Sequence, residues 1–130
     1  MDIFAAYAVD ENLEVNGTWM EVGDAKFLVA RSGNKNYVKA LSKAVERNRK
    51  ALNRRDDEAD KLSDKLMAEV IAKTILLGWE GVKYQGKPLE YNAENAVMVL
   101  KHPEFRKEIM QLADDFDQFK AQKEAEEEKN

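Results

Sequence analysis

The apolar positions of the chain change period along its length, and each change marks an element. Thr18-Trp19-Met20-Glu21-Val22 and Lys26-Phe27-Leu28-Val29-Ala30-Arg31 are rich in β-branched and aromatic residues and flank Gly23-Asp24. That pattern predicts a β-hairpin over 18–31. Ser32-Gly33-Asn34 breaks the second strand and offers a helix N-cap. Tyr37, Leu41, Val45 and Leu52, with Val38 beside them, then share one face of a helix over about 35–53. Asp56-Asp57-Glu58 places carboxylates at the positive end of a second helix, about 57–77, whose inner face is Ala59, Leu62, Leu66, Val70 and Ile71 and which stops at Gly78. Residues 79–89 hold two of the six glycines and one of the two prolines, and read as a turn-rich loop or small irregular hairpin. Asn92 caps a short helix over about 92–101, with Ala96, Val97 and Leu100 facing inward. Pro103 suits the first turn of a last helix over about 103–120, where Phe105, Ile109, Leu112, Phe116 and Phe119 repeat at spacings of four and three.

Residues 1–16 are weakly patterned and are expected to form an extended arm. Residues 121–130 carry no apolar side chain larger than alanine and are expected to form a charged flexible tail. Residues 17–120 are thus expected to be one globular domain of 130 residues' total chain, large enough to bury about two-thirds of its unfolded surface. The predicted class is α+β, mainly α: an N-terminal β-hairpin packed on a bundle of about four helices. Trp19, Trp79 and Pro103 are its expected structural anchors, the tryptophans tying the strand and loop regions to the helices.

Composition narrows the chemistry. There is no cysteine, which removes disulfides, thiolate metal sites and a cysteine nucleophile, and His102 is the single histidine. His102 precedes a proline at a helix boundary, so a capping or surface role is favoured over that of a general base. The acidic clusters Asp56-Asp57-Glu58-Asp60 and Asp114-Asp115-Asp117 lack the bend glycine of a calcium loop and read as helix-terminal or solvated charge. Ser32, Ser42 and Ser63 have no nucleophile-elbow context, and no phosphate-cradling glycine motif is present. The expectation is a protein that is not an enzyme and needs no cofactor or metal. Met1-Asp2-Ile3-Phe4 lacks the basic start of a secretory leader and no apolar run spans a bilayer, so the expected location is the cytosol, with no membrane partner.

Charge is blocked. Residues 35–55 hold eight basic residues and one acid in a chain whose net charge is −4. Lys39, Lys43, Arg47, Arg49, Lys50, Arg54 and Arg55 could neutralise phosphates. They spread around the helix without interleaved aromatics for base stacking. Docking to an acidic protein surface, or to the chain's own acidic helices, is therefore favoured over nucleic acid. The Phe105–Phe119 stripe reads first as core, with part of it free to serve a partner.

Trp79-Glu80-Gly81-Val82, Gly86-Lys87-Pro88, Tyr91-Asn92-Ala93-Glu94-Asn95-Ala96, Leu100, Pro103-Glu104-Phe105 and the late phenylalanines follow one another in an order and spacing that resembles the C-terminal half of tail assembly chaperones of long-tailed, siphovirus-type bacteriophages and prophages. Gly17-Thr18-Trp19 and Ala30-Arg31-Ser32-Gly33-Asn34 with Tyr37 and Leu41 are similar to the family's N-terminal half. The resemblance covers about 10–120. It departs at Asn92, where threonine is expected, and at Gly78, where an acid commonly precedes the tryptophan. It implies a non-enzymatic assembly factor that binds the tape measure protein, recruits major tail tube subunits and self-associates. It also implies action in the bacterial host cytoplasm, absence from the mature virion, and in many members a longer product made by −1 ribosomal frameshifting. Glu128-Lys129-Asn130 is what GAA-AAA-AAC would encode, which makes these last codons a candidate slip site with Gln122–Asn130 linking to the extension; a plain charged terminus is the competing reading. Charge and the apolar stripe, rather than the family motif, nominate Arg47, Lys50, Arg54, Phe116 and Phe119 as partner contacts. The competing readings are a nucleic-acid-binding accessory protein and a virion structural piece such as a head–tail connector.

Overall fold

Strand propensity and turn chemistry deliver the hairpin as expected. β1 (Thr18–Val22) and β2 (Ala25–Val29) pair antiparallel from Thr18↔Val29 to Val22↔Ala25. At the tip Gly23 takes φ 60° and Asp24 does not follow it into positive φ, the φ signature of a type II′ turn. The structure is a computed structural model that describes residues 1–121; the candidate slip-site segment and the tail beyond Ala121 lie outside the described residues.

The sheet has a third strand. β3 (Leu76–Glu80) pairs antiparallel with β2, giving the order β1-β2-β3. This corrects the helix expected to run to 77 and the loop expected from 79. Ile75-Leu76-Leu77-Gly78-Trp79 is a short apolar run that suits a buried strand as well as a helix end. Alternation then decides which side chains face the helices. Met20, Phe27 and Trp79 align across the three strands and are buried. Trp19, Leu28 and Gly78 form the opposite row. Trp19 is therefore 48% exposed and packs over the space left by Gly78, where a Cβ would lie 3.5 Å from the indole. It is not the core anchor expected of it; Met20, one residue on, takes that role.

Four helical segments pack against the sheet and against one another. The first, expected over 35–53, divides into α3 (Lys35–Arg47) and α4 (Arg49–Leu52). Asn48 interrupts it at φ −118°, ψ 18°, its side-chain amide donating to the Ala44 carbonyl. α5 (Asp57–Thr74) is capped by Asp56, whose carboxylate accepts from the Ala59 N–H at 2.9 Å. That hydrogen bond is the first cause of its lowered pKa, with Arg54 assisting. α6 (Ala93–Leu100) starts at Asn92 as expected. α7 (Pro103–Ala113) begins with Pro103 at N1 and His102 as its cap, but ends seven residues before the expected boundary of 120. Asp114 and Asp115 are unfavourable at the negative end of a helix dipole. Asp115 instead caps a separate 3-10 turn, Phe116–Gln118, by accepting from Asp117 N–H. Ile71, Ile75, Leu76, Leu100, Ile109 and Phe119 are fully buried in one core between sheet and helices.

The N-terminal segment is not extended. Asp2 and Asp10 cap two short helices, α1 (Ile3–Ala6) and α2 (Glu11–Asn16), through bonds to Ala5 and to Asn12 and Leu13. Between them the chain runs beside the end of the described residues. Asp10 N–H donates to Phe119 O at 2.8 Å, and Ala121 N–H donates to Ala8 O at 3.1 Å.

Candidate functional site

Three elements bring apolar side chains together at one edge of the sheet. The stretch after β3 forms a small hairpin, β4 (Lys83–Tyr84) and β5 (Lys87–Pro88), closed at its base by Leu89 N–H donating to Val82 O. Gln85 at φ 51° and Gly86 at φ 78° make the turn between them. Trp79 pins this excursion to the sheet. Its indole N–H donates to Leu89 O at 2.8 Å, and its ring meets Tyr91 edge-on at 5.0 Å. Tyr91 in turn donates its hydroxyl to Leu76 O, and burial raises its pKa. On the other side, Phe105 of α7 stacks obliquely on Phe27 at 5.7 Å. Arg106 fixes α7 by donating to Asp64 at 2.9 Å and to Leu100 O at 3.2 Å.

Two adjoining clefts of about 470 and 280 Å³ result, sharing Val82, Lys83 and Phe105. Tyr84, Met98 and Val99 line the larger, and Val22, Phe27 and Ile109 the smaller. Asp24, Lys83, His102 and Glu108 supply the charged and polar groups of the rim. The result is an open apolar groove. Tyr84 and Met98 are exposed within it. His102 accepts the Phe105 N–H on Nδ1, the expected capping role. Of the acidic clusters, Asp56 and Asp115 cap helical turns, Asp114 accepts the Ser32 hydroxyl, and Asp117 pairs with Lys120. Among the described residues no three His, Asp or Glu side chains gather as a metal site, and no helix is long and apolar enough to cross a membrane.

Gly81 sets the groove's floor. It has φ 78°, and a Cβ there would meet the Asp24 carbonyl oxygen at 2.9 Å, a contact with rigid backbone. Gly81→Ala is expected to cost about 2 kcal/mol, the sum of a left-handed penalty and displacement of the β1–β2 turn. Urea unfolding checks this; an unchanged midpoint contradicts it.

The residues nominated from sequence are dispersed. Arg47 and Lys50 are exposed on α3 and α4, while Arg54 is taken by Asp56 at 3.3 Å. Phe116 is half-buried against Tyr7, with Arg31 and Lys120 over its ring. Phe119 is 0% exposed and belongs to the core, so it is corrected from contact residue to structural residue. None of these five lines the groove. Met98, Val99 and Tyr84 escaped the sequence reading, although a signal exists: α6 reads Ala96-Val97-Met98-Val99-Leu100, apolar around more of its circumference than one buried face requires.

The geometry defines a small α+β protein with an open apolar groove built across its sheet edge and two helices. The family model of the YdaY prophage protein matches residues 32–130, and the chain belongs to that family. No curated protein and no solved structure matches it.

Proposed function

We propose that this prophage protein is a tail assembly chaperone that holds an amphipathic helical segment of the tape measure protein in the groove between β4–β5, α6 and α7. The carrying observation is the groove itself, apolar along its length and charged at its rim. A helix laid into such a groove anchors through apolar residues at i, i+3, i+4 and i+7. Two anchors of leucine or phenylalanine size yield about 3–6 kcal/mol before ordering costs. Membership of a prophage family and the sequence resemblance support the same reading. Recruitment of major tail tube subunits, self-association and the longer frameshift product belong to this proposal.

The test is co-expression with the tape measure protein, followed by affinity measurement on the purified pair. Met98→Glu and Tyr84→Ala, both exposed, are expected to leave the fold intact and weaken binding at least about tenfold. Lys50→Ala, on the opposite chemistry, is expected to change it less than about twofold. Equal binding by the groove variants overturns the proposal.

A further inference from the structure

The first residues of the chain leave an apolar surface uncovered. α1 has no buried residue, and Met1, Ile3, Phe4 and Tyr7 are all exposed, Phe4 by 90%. Ile3, Phe4 and Tyr7 fall on one face of the turn, at the i, i+3 and i+4 spacings of a helix that is read in a groove. A single helical turn is not stable in water without packing. Asp2 caps this one through the Ala5 N–H, which leaves the cover of its apolar face to another surface. Residues 1–16 carry Asp2, Asp10, Glu11 and Glu14 and no Lys or Arg.

The groove offers the opposite surface. Its larger cleft, of about 470 Å³, is lined by Val82, Tyr84, Met98, Val99 and Phe105, with Lys83 and His102 as its polar groups and no carboxylate. Lys83 forms no ion pair among the described residues. A convex apolar turn headed by an acid thus matches a concave apolar cleft edged by a base. The two do not meet within one chain, since no residue of 1–16 lines either cleft. Tyr7 rests on Phe116 beyond the end of α7, whereas His102 and Phe105 stand at its start. Phe105 to Ala113 alone is about 12 Å of helix, and the four residues of α1 make a turn about 6 Å long.

We propose that α1 of one copy seats in the larger cleft of a second copy, with Ile3 and Phe4 against Tyr84, Met98 and Val99 and with Asp2 toward Lys83. The two patches are unlike and lie toward opposite ends of α7, so the contact is heterologous and runs head to tail. It gives the self-association proposed above a surface, and it rests on that part of the reading and not on the client. A seated α1 and a helical client in the same cleft exclude each other, so the contact covers the groove of a copy without a client.

Sedimentation of the full chain without client, over about 10 μM to 1 mM, tests it, a range suited to a small interface. The wild-type average mass is expected to rise with concentration and to pass that of a dimer. Phe4→Glu, which spoils the turn, and Met98→Glu, which spoils the cleft, should each weaken association at least about tenfold. An equimolar mixture of the two variants holds one intact turn and one intact cleft, so it should associate again and stop at a 1:1 pair. Ile3→Glu mixed with Tyr84→Ala repeats the test on separate residues and decides it if a member of the first pair fails to fold. Val38→Glu, at an exposed apolar position outside both patches, should leave association unchanged within about twofold. A wild-type chain that stays monomeric throughout overturns both this contact and the self-association. Association that survives the single variants, or mixtures no better associated than their components, overturns the contact alone. Tape measure affinity is read in the separate co-expression experiment, and its loss leaves the contact standing.

Discussion

Asn34→Ala is expected to destabilise the protein by about 3 kcal/mol, far beyond an ordinary cap loss of about 1 kcal/mol. Asn34 is 0% exposed, and its side chain uses both ends of the amide. The oxygen accepts from Asn36 and Tyr37 N–H at 2.9 and 3.0 Å, which starts α3. The nitrogen donates to Arg31 O at 2.7 Å and to Thr74 O at 3.2 Å, which ties the end of β2 to the end of α5. Alanine leaves those groups in a site with little room for water, and each buried unpaired group costs about 1–3 kcal/mol. Asn34→Asp separates the two ends. It keeps the acceptor but turns an oxygen toward two carbonyls, which raises the introduced carboxyl's folded pKa. Its cost should therefore be least below the unfolded value of about 3.9 and grow as pH rises through the folded value. Urea unfolding of both variants at neutral and acidic pH reads this out. A loss under about 1 kcal/mol for Asn34→Ala, or a pH-independent gap for Asn34→Asp, contradicts the assignment.

What the sequence discloses here is local. Gly23-Asp24 between two β-prone runs specifies its hairpin, and Asn34, Asp56, Asn92 and Pro103 each mark a helix start through chemistry within four residues. What it conceals depends on distant partners. Nothing in Ile75–Trp79 alone says strand; β2 supplies the hydrogen bonds that make it one, and the Ala30 N–H joins it by donating to Ile75 O. The two tryptophans look equivalent in sequence, yet pairing register places Trp79 with Phe27 on the core face and Trp19 with Leu28 on the other. The groove needs Phe27, Val82, Met98 and Phe105 from four separated segments, so only the excess apolar surface of α6 hinted at it. The basic helix was legible as charge. That Arg54 is neutralised locally while Lys73 joins Lys39 and Lys43 is a property of the α3–α5 packing.

The late phenylalanines give the second large effect. Phe119→Ala should cost about 3–5 kcal/mol, the range for deleting a fully buried aromatic ring, whereas Phe116→Ala should cost about 1 kcal/mol. The stripe's spacing makes the two equivalent on an uninterrupted helix. The break at Asp114-Asp115 removes that equivalence by turning Phe119 into the core while Phe116 stays at the surface between Tyr7, Arg31 and Lys120. The N-terminal segment then closes over Phe119, since Asp10 N–H donates to its carbonyl and Val9 bridges Lys120. Loss of the ring should accordingly loosen a segment remote in sequence, and amide exchange at Asp10 and Ala121 should accelerate more than the global loss of stability requires. Were Phe119 a partner contact, its replacement would spare the unfolding midpoint and the Asp10 amide and would weaken association instead. Denaturant unfolding together with hydrogen exchange on the two single variants separates these outcomes. A small loss for Phe119→Ala with an unaltered Asp10 amide would return the ring to the surface.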